Sequence, residues 1–167
     1  MQTRRHKRAA TAVAVFRGSD VQGEAVATRA ARGGTILRVV FTRLPKGKHG
    51  FHIHRAGDLR GEGCMGACDH FHVGRPCRHG AGPSHTRRGS RRPRHSGDLG
   101  NIPSATPTRP FRRTYRLPEF PPQALWGRSL IVHEKEDDLG LGHFEDSGTT
   151  GHSGARIACA VFGRAGC

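Results

Sequence analysis

The chain is short of acid, short of wide aromatics and without any long apolar run. Asp and Glu number 13 against 28 Lys and Arg, a net charge of +15, and there is one Trp and one Tyr among 167 residues. So large a basic surplus creates a field that attracts anions, and nucleic acid is the usual partner. With no aromatics interleaved among the cations and no recognition helix or RNA-binding signature, a dedicated nucleic-acid reader is not supported; only salt-sensitive, non-specific binding remains. No stretch has the length needed to cross a bilayer, so no membrane role is expected. The first residues, MQTRRHKRAATAVAVF, lack a signal-peptide core and cleavage site, and the expectation is a cytoplasmic protein. The tail at residues 1–9, with Arg4, Arg5, Lys7 and Arg8, offers a basic segment for nuclear entry.

Cysteine is sparse and odd in number: Cys64, Cys68, Cys77, Cys159 and Cys167. An odd count without an export signal argues against a disulfide-framework fold. Cys64 and Cys68 form a CxxxC pair, but no second close pair exists to complete a structural zinc site.

Amphipathic helical periodicity is missing, whereas strand patterns are plentiful. ATAVAVF, VQGEAVATRA and GGTILRVVFTRL read as a meander, SLIVHEK and ARIACAVFG as later strands, and residues 10–167 as one domain. Two stretches are loops: residues 55–101, with no apolar period, and EDDLGLGHFEDSGTTGHSG. Between them IPSATPTRPFRRTYRLPEFPPQA carries six prolines, leaving only FRRTYRL as an edge strand. The composite is all-β, an antiparallel sandwich or barrel with two long His-bearing loops. The charge is uneven as well: Arg75 to Arg113 holds ten arginines and one acid, Asp98, and Glu134 to Asp146 holds six acids and one base.

Histidine is what the chain has in excess, 12 in all, three of them in KHGFHIH. If that run is a strand, Phe51, Ile53 and His49 face one way, and His52 and His54 together the other. The pair can present two ring nitrogens to one ion, and imidazole suits copper, zinc, iron and nickel alike.

GFHIH followed by Gly57-Asp58 and Cys64, then His70-Phe71, His79-Gly80, RHSGDLGN from Arg94, GRSLIVHEKEDDLG from Gly127 and GARIACAVFG from Gly154 stand in the order found in copper-zinc superoxide dismutases, which the chain resembles over roughly residues 10–164. The resemblance implies a Greek-key β-sandwich that converts superoxide to dioxygen and hydrogen peroxide. It implies copper on His52, His54, His70 and His133, and zinc on His70, His79, His95 and Asp98, with His70 shared by both ions and delivering a proton. Arg156 would steer and dock superoxide, Asp137 would hydrogen-bond His52 and His79, and Cys64 and Cys159 would form a buried disulfide.

Some residues depart from the family pattern. His72 stands two positions from His70 as a competing ligand, the His70–His79 spacing is one residue longer, and the insertion SHTRRGSRRPR adds His85. Glu145, Asp146 and Thr150 match family positions, but the lysine expected near Thr149 is missing; His143 and His152 are additional. Arg164 replaces an apolar residue of the family's dimer contact, which puts the homodimer in doubt. Two other readings remain: a non-catalytic relative that binds metal or a copper chaperone, and a basic protein that holds nucleic acid through Arg87, Arg88, Arg91 and Arg92.

Overall fold

A computed structural model describes residues 11–75, 77–83 and 94–166. The basic tail, His85, the arginines at 87, 88, 91 and 92, and Cys167 lie outside the described residues. Eight strands form the scaffold: β1 (Ala12–Arg17), β2 (Gln22–Arg29), β3 (Thr35–His54), β4 (Asp98–Ala105), β5 (Phe111–Leu117), β6 (Ser129–His133), β7 (Arg156–Val161) and β8 (Gly163–Arg164). All pairings are antiparallel. Among the described residues no helix is long and apolar enough to cross a membrane.

The twenty-residue β3 organises the molecule because it serves two sheets. Residues 35–43 pair with β2 and β5, and residues 44–54 with β4 and β6, register shifts near Leu44 and Gly50 marking the bend. One sheet therefore runs β5-β3-β2-β1-β8 and the other β4-β3-β6-β7. Period-two alternation drives this arrangement. In β1, Ala12, Ala14 and Phe16 are buried while Val15 and Arg17 are exposed. The inward faces meet around an aromatic column, Phe16 against Phe41 at 5.3 Å and Phe41 edge-on to Phe51 at 5.5 Å. Phe51 and Ile53 enter this core, so His52 and His54 stand on the opposite side of the same strand.

Residues 98–105 correct the sequence reading of a loop followed by an irregular flank. They form a strand despite Pro103, since among the described residues β4 pairs with β3 alone and an edge strand tolerates a residue without an N–H. Leu99 and Ile102 are fully buried, giving the segment its apolar anchor. Arg164, the charge expected to need a partner, lies 4.7 Å over the Trp126 ring.

Both long loops fold back onto the histidine side of β3. The first is laid alongside it by backbone bonds from Phe71 N to Ile53 O (2.8 Å), Gly97 N to Phe71 O (2.8 Å) and Ile53 N to Gly97 O (2.9 Å), and a bridge between His54 and His70 completes the docking. A disulfide between Cys64 and Cys159, 95 residues apart, ties this loop to β7. Both cysteines are half-buried rather than buried, because the loop turn carrying Cys64 lies at the surface. The second loop is clamped by Asn101, which donates from Nδ2 to Asp137 O (2.8 Å) and accepts from Asp137 N (2.7 Å).

Candidate metal centre

Six histidines and two aspartates converge where the loops cover β3. His52 and His54 come from β3, His133 from the end of β6, His70, His79 and His95 from the first loop, Asp98 from the first residue of β4 and Asp137 from the second loop. Seven of the eight are buried, His95 half-buried. Two quartets emerge: His52, His54, His70 and His133, and His70, His79, His95 and Asp98, with the candidate ligand atoms of each quartet within 4.8 Å of one another. His70 belongs to both.

Ring nitrogens reveal what the clusters are built for. A neutral imidazole has one N–H donor and one lone pair, and the partner of the first fixes where the second points. His54 Nδ1 donates to Cys68 O (2.7 Å), His133 Nδ1 to Gly154 O (3.2 Å) and His95 Nε2 to Cys77 O (2.9 Å), since a carbonyl can only accept. His52 Nε2 and His79 Nε2 each donate to one oxygen of Asp137, at 2.9 and 2.8 Å. Of the remaining nitrogens, His52 Nδ1, His54 Nε2, His70 Nε2 and His133 Nε2 are buried without a hydrogen bond, whereas His79 Nδ1 lies 3.0 Å from Asp98 Oδ1. Four orphaned buried nitrogens in one place would be costly in an ordinary core; all four belong to the first quartet, and such a set could hold a metal ion. Among the described residues no backbone carbonyl fixes the His70 ring. Its Nδ1 faces Asp98 Oδ1 at 2.8 Å in one quartet and its Nε2 is the orphan in the other.

Electrostatics divide the cluster. Burial and the neighbouring His52 ring lower His70 to a pKa of about 3; burial with His70 nearby lowers His54, and burial with His52 nearby lowers His133. These rings stay neutral and able to ligate. His79 is the exception: burial opposes its charge, yet hydrogen bonds to Asp137 and Asp98 outweigh it and raise the pKa to about 9. Burial also opposes charge on the aspartates, but hydrogen bonds from His70, His79 and His95 hold Asp98 far below the usual carboxylate range, and those from His52 and His79 hold Asp137 there. Gly151, at φ 71°, packs against the Asp137–His79 pair, where a Cβ would collide with both.

Arg156 opens β7 directly across the ladder from His133. Its guanidinium donates to Cys64 O (2.8 Å) and Cys68 O (2.7 Å). The disulfide thereby secures the turn that orients it. Arg156, His54, His70, His95 and His133 line an open cleft of ≈ 1110 Å³.

The family model described as copper/zinc superoxide dismutase (SODC) matches residues 21–162. The chain belongs to the copper/zinc superoxide dismutase family. It is 40% identical over 149 residues to the extracellular superoxide dismutase [Cu-Zn] of Drosophila melanogaster, covering 87% of this chain and 77% of that one. A protein of Orgyia pseudotsugata multicapsid polyhedrosis virus that carries a copper-zinc superoxide dismutase name is 43% identical over 123 residues, 72% of this chain and 75% of that one. The crystal structure of the clock protein EA4 superposes with a TM-score of 0.76 at 31% identity, covering 95% of this chain and 98% of that one. The family binds copper and zinc, and the donor sets above fit two such ions.

The cytoplasmic expectation is overturned by the extracellular relative, which matches most of the chain. That expectation rests on the missing signal-peptide pattern alone. The disulfide is of a kind that persists in oxidising compartments.

His72, the competing ligand, is spent elsewhere: Nε2 donates to Arg75 O (2.7 Å) and Nδ1 accepts from Ser96 N (3.2 Å). In the second loop His152 stacks on Phe144 at 3.7 Å and its Nδ1 meets Asp146 at 2.7 Å. Sequence reasoning assigns no role to Asn101 or to the carbonyls of Cys68, Cys77 and Gly154. Asn101 closes the RHSGDLGN motif and could have been found there; backbone carbonyls leave no trace in residue identity.

Proposed function

We propose that the protein dismutates superoxide, 2 O₂⁻ + 2 H⁺ giving O₂ + H₂O₂, at a copper ion held by His52, His54, His70 and His133 beside a zinc ion held by His70, His79, His95 and Asp98. The reading rests above all on the four orphaned ring nitrogens of the first quartet, beside a second quartet that shares His70 with it. Copper supplies a one-electron redox couple, and zinc supplies charge without redox chemistry.

The chain's own groups do the rest. Arg156 is always charged, and its donors bind a small oxyanion at the cleft floor opposite His133. Asp137 orients His52 and His79 at once, coupling the two quartets. His70 would be the proton carrier: with Nδ1 held beside Asp98, its Nε2, without a hydrogen-bond partner among the described residues, would hold a proton for the second superoxide whenever it is not serving as a ligand. The carbonyls of Cys68 and Gly154 hold His54 and His133 in the tautomer that leaves Nε2 free.

Protein loaded with copper and zinc is expected to remove superoxide with a kcat/KM approaching the diffusional limit of about 10⁸–10⁹ M⁻¹s⁻¹, a limit for which superoxide dismutase is itself a standing example. Charge reversal in Arg156→Glu should slow it by at least tenfold while both metals remain bound. A doubly loaded protein without turnover would leave a metal-binding relative and end the enzymatic reading.

A further inference from the structure

The cleft has a charge pattern opposite to that of the whole chain. Glu62, Asp69 and Asp146 line it, and Arg156 is the cation among its described lining residues. Asp146 is occupied by Thr150 Oγ1 (3.0 Å) and His152 Nδ1 (2.7 Å). Asp69 is different. Its side chain is 87% exposed, and the ion-pair contact it makes, to Arg55 Nη2 at 3.7 Å, is with a side chain 58% exposed. Such a pair neutralises little. Asp69 directly follows Cys68, whose carbonyl holds the Arg156 guanidinium at 2.7 Å, and directly precedes His70. Burial lowers the basicity of the Arg156 guanidinium, and the nearby Asp69 carboxylate offsets part of that loss.

We propose that Asp69 is a charge filter at the cleft mouth, setting which anions reach Arg156. The inference rests on the dismutase reading for the identity of the substrate. A chain of +15 draws in every anion, and polyvalent ones most strongly. A local carboxylate reverses that order near the site, because its repulsion scales with the charge of the incoming ion. If Asp69 reduces the local concentration of a monoanion by some factor, it reduces that of a dianion by the square. In water a unit charge at about 5–10 Å gives a factor of about two to four for a monoanion, and about four to sixteen for a dianion. Superoxide thus loses a little capture rate, while phosphate, which would otherwise occupy the arginine, is largely kept out.

Asp69→Asn keeps shape and removes charge at an exposed position, and Asp69→Glu keeps charge. Two quantities are read at low ionic strength: kcat/KM for superoxide with the metal-loaded protein, and the Arg156-dependent affinity for inorganic phosphate, by ³¹P NMR titration of the metal-free protein at about pH 8. Asp69→Asn should raise kcat/KM about two- to fourfold and tighten phosphate about four- to sixteenfold; Asp69→Glu should match the parent, and both gains should collapse in about 1 M salt. Equal values for the parent and Asp69→Asn, gains that survive high salt, or a phosphate gain no larger than the superoxide gain would overturn the filter. If the parent itself lacks turnover, the dismutase reading fails, and the phosphate titration alone judges Asp69.

Discussion

The two ends of the histidine cluster are built by different means. At one end, His52, His54 and His133 sit on β3 and β6, whose ladder sets Phe51 against Val132 and Ile53 against Leu130. Their positions are fixed by the same hydrogen bonds that make the sheet. At the other end His79 and His95 lie in a loop, separated by residues 84–93, which fall outside the described residues. Asp98 gathers that end, accepting from His70 Nδ1 at 2.8 Å, Gly80 N at 3.0 Å and His95 N at 2.9 Å. A sheet-borne pole is preorganised whether or not metal is bound, and a carboxylate-borne pole depends on charge. His70 stands between them.

The contrast should be clearest when the metal-free protein is titrated. His54, His70 and His133 have lowered pKa values in the fold, so below the unfolded value of about 6.5 only the unfolded chain takes up protons there. Stability then falls by roughly 1.4 kcal/mol per pH unit for each ring, about 4 kcal/mol at pH near 5.5. His79 runs the other way. Its pKa is raised to about 9, so its contribution is complete below about 6.5 and disappears as pH climbs toward 9. Urea midpoints of the metal-free protein should peak near pH 6.5 and drop more steeply on the acid side; a profile flat from about pH 5.5 to 9 would contradict both assignments.

Next in size is Asp98→Ala, which should dismantle one pole and spare the other. Zinc affinity at the loop pole is expected to fall at least about 100-fold, while copper still binds through the strand histidines. Calorimetric titration with each metal separates the two, and equal loss at both would mean that the poles form one unit. Asp137→Asn tests the opposite property, since that carboxylate serves His52 with one oxygen and His79 with the other. The amide loses the charge that favours both N–H donors, and its NH₂ group cannot accept from the second ring, so both poles should weaken, by about tenfold at the ring left without an acceptor.

How much of this was legible in the sequence follows the same division. The alternation in GFHIH predicts the strand and the shared face of His52 and His54 without help, because period two is a local property. The loop pole was legible only through motif order. Nothing local in HFHV distinguishes His70 from His72, and the choice depends on Phe71 and Gly97 docking on Ile53. The strand at residues 98–105 escapes a local reading because its burial comes from both sides and so has no alternation, and because Pro103 argues against it. Asp69 on the cleft lip could not be read either, since which side of a loop faces the substrate is set by tertiary packing.

His72 gives the smallest effect and the finest test. It lies in the same loop as the zinc-pole histidines, its ring 5.9 Å from that of His95, and composition alone would make it a ligand. Its nitrogens say otherwise, since one donates to Arg75 O and the other accepts from Ser96 N. A ring with both nitrogens engaged has no lone pair to offer an ion. Its work is to pin residues 72–75 against Ser96, beside the strand that begins at Asp98. His72→Ala should therefore leave the affinity for both metals unchanged and lower stability by about 1 kcal/mol, the net worth of a hydrogen bond or two. If zinc affinity instead fell tenfold or more, His72 would join the loop pole as a ligand, and the rule that free nitrogens mark the metal site would fail where it is easiest to check.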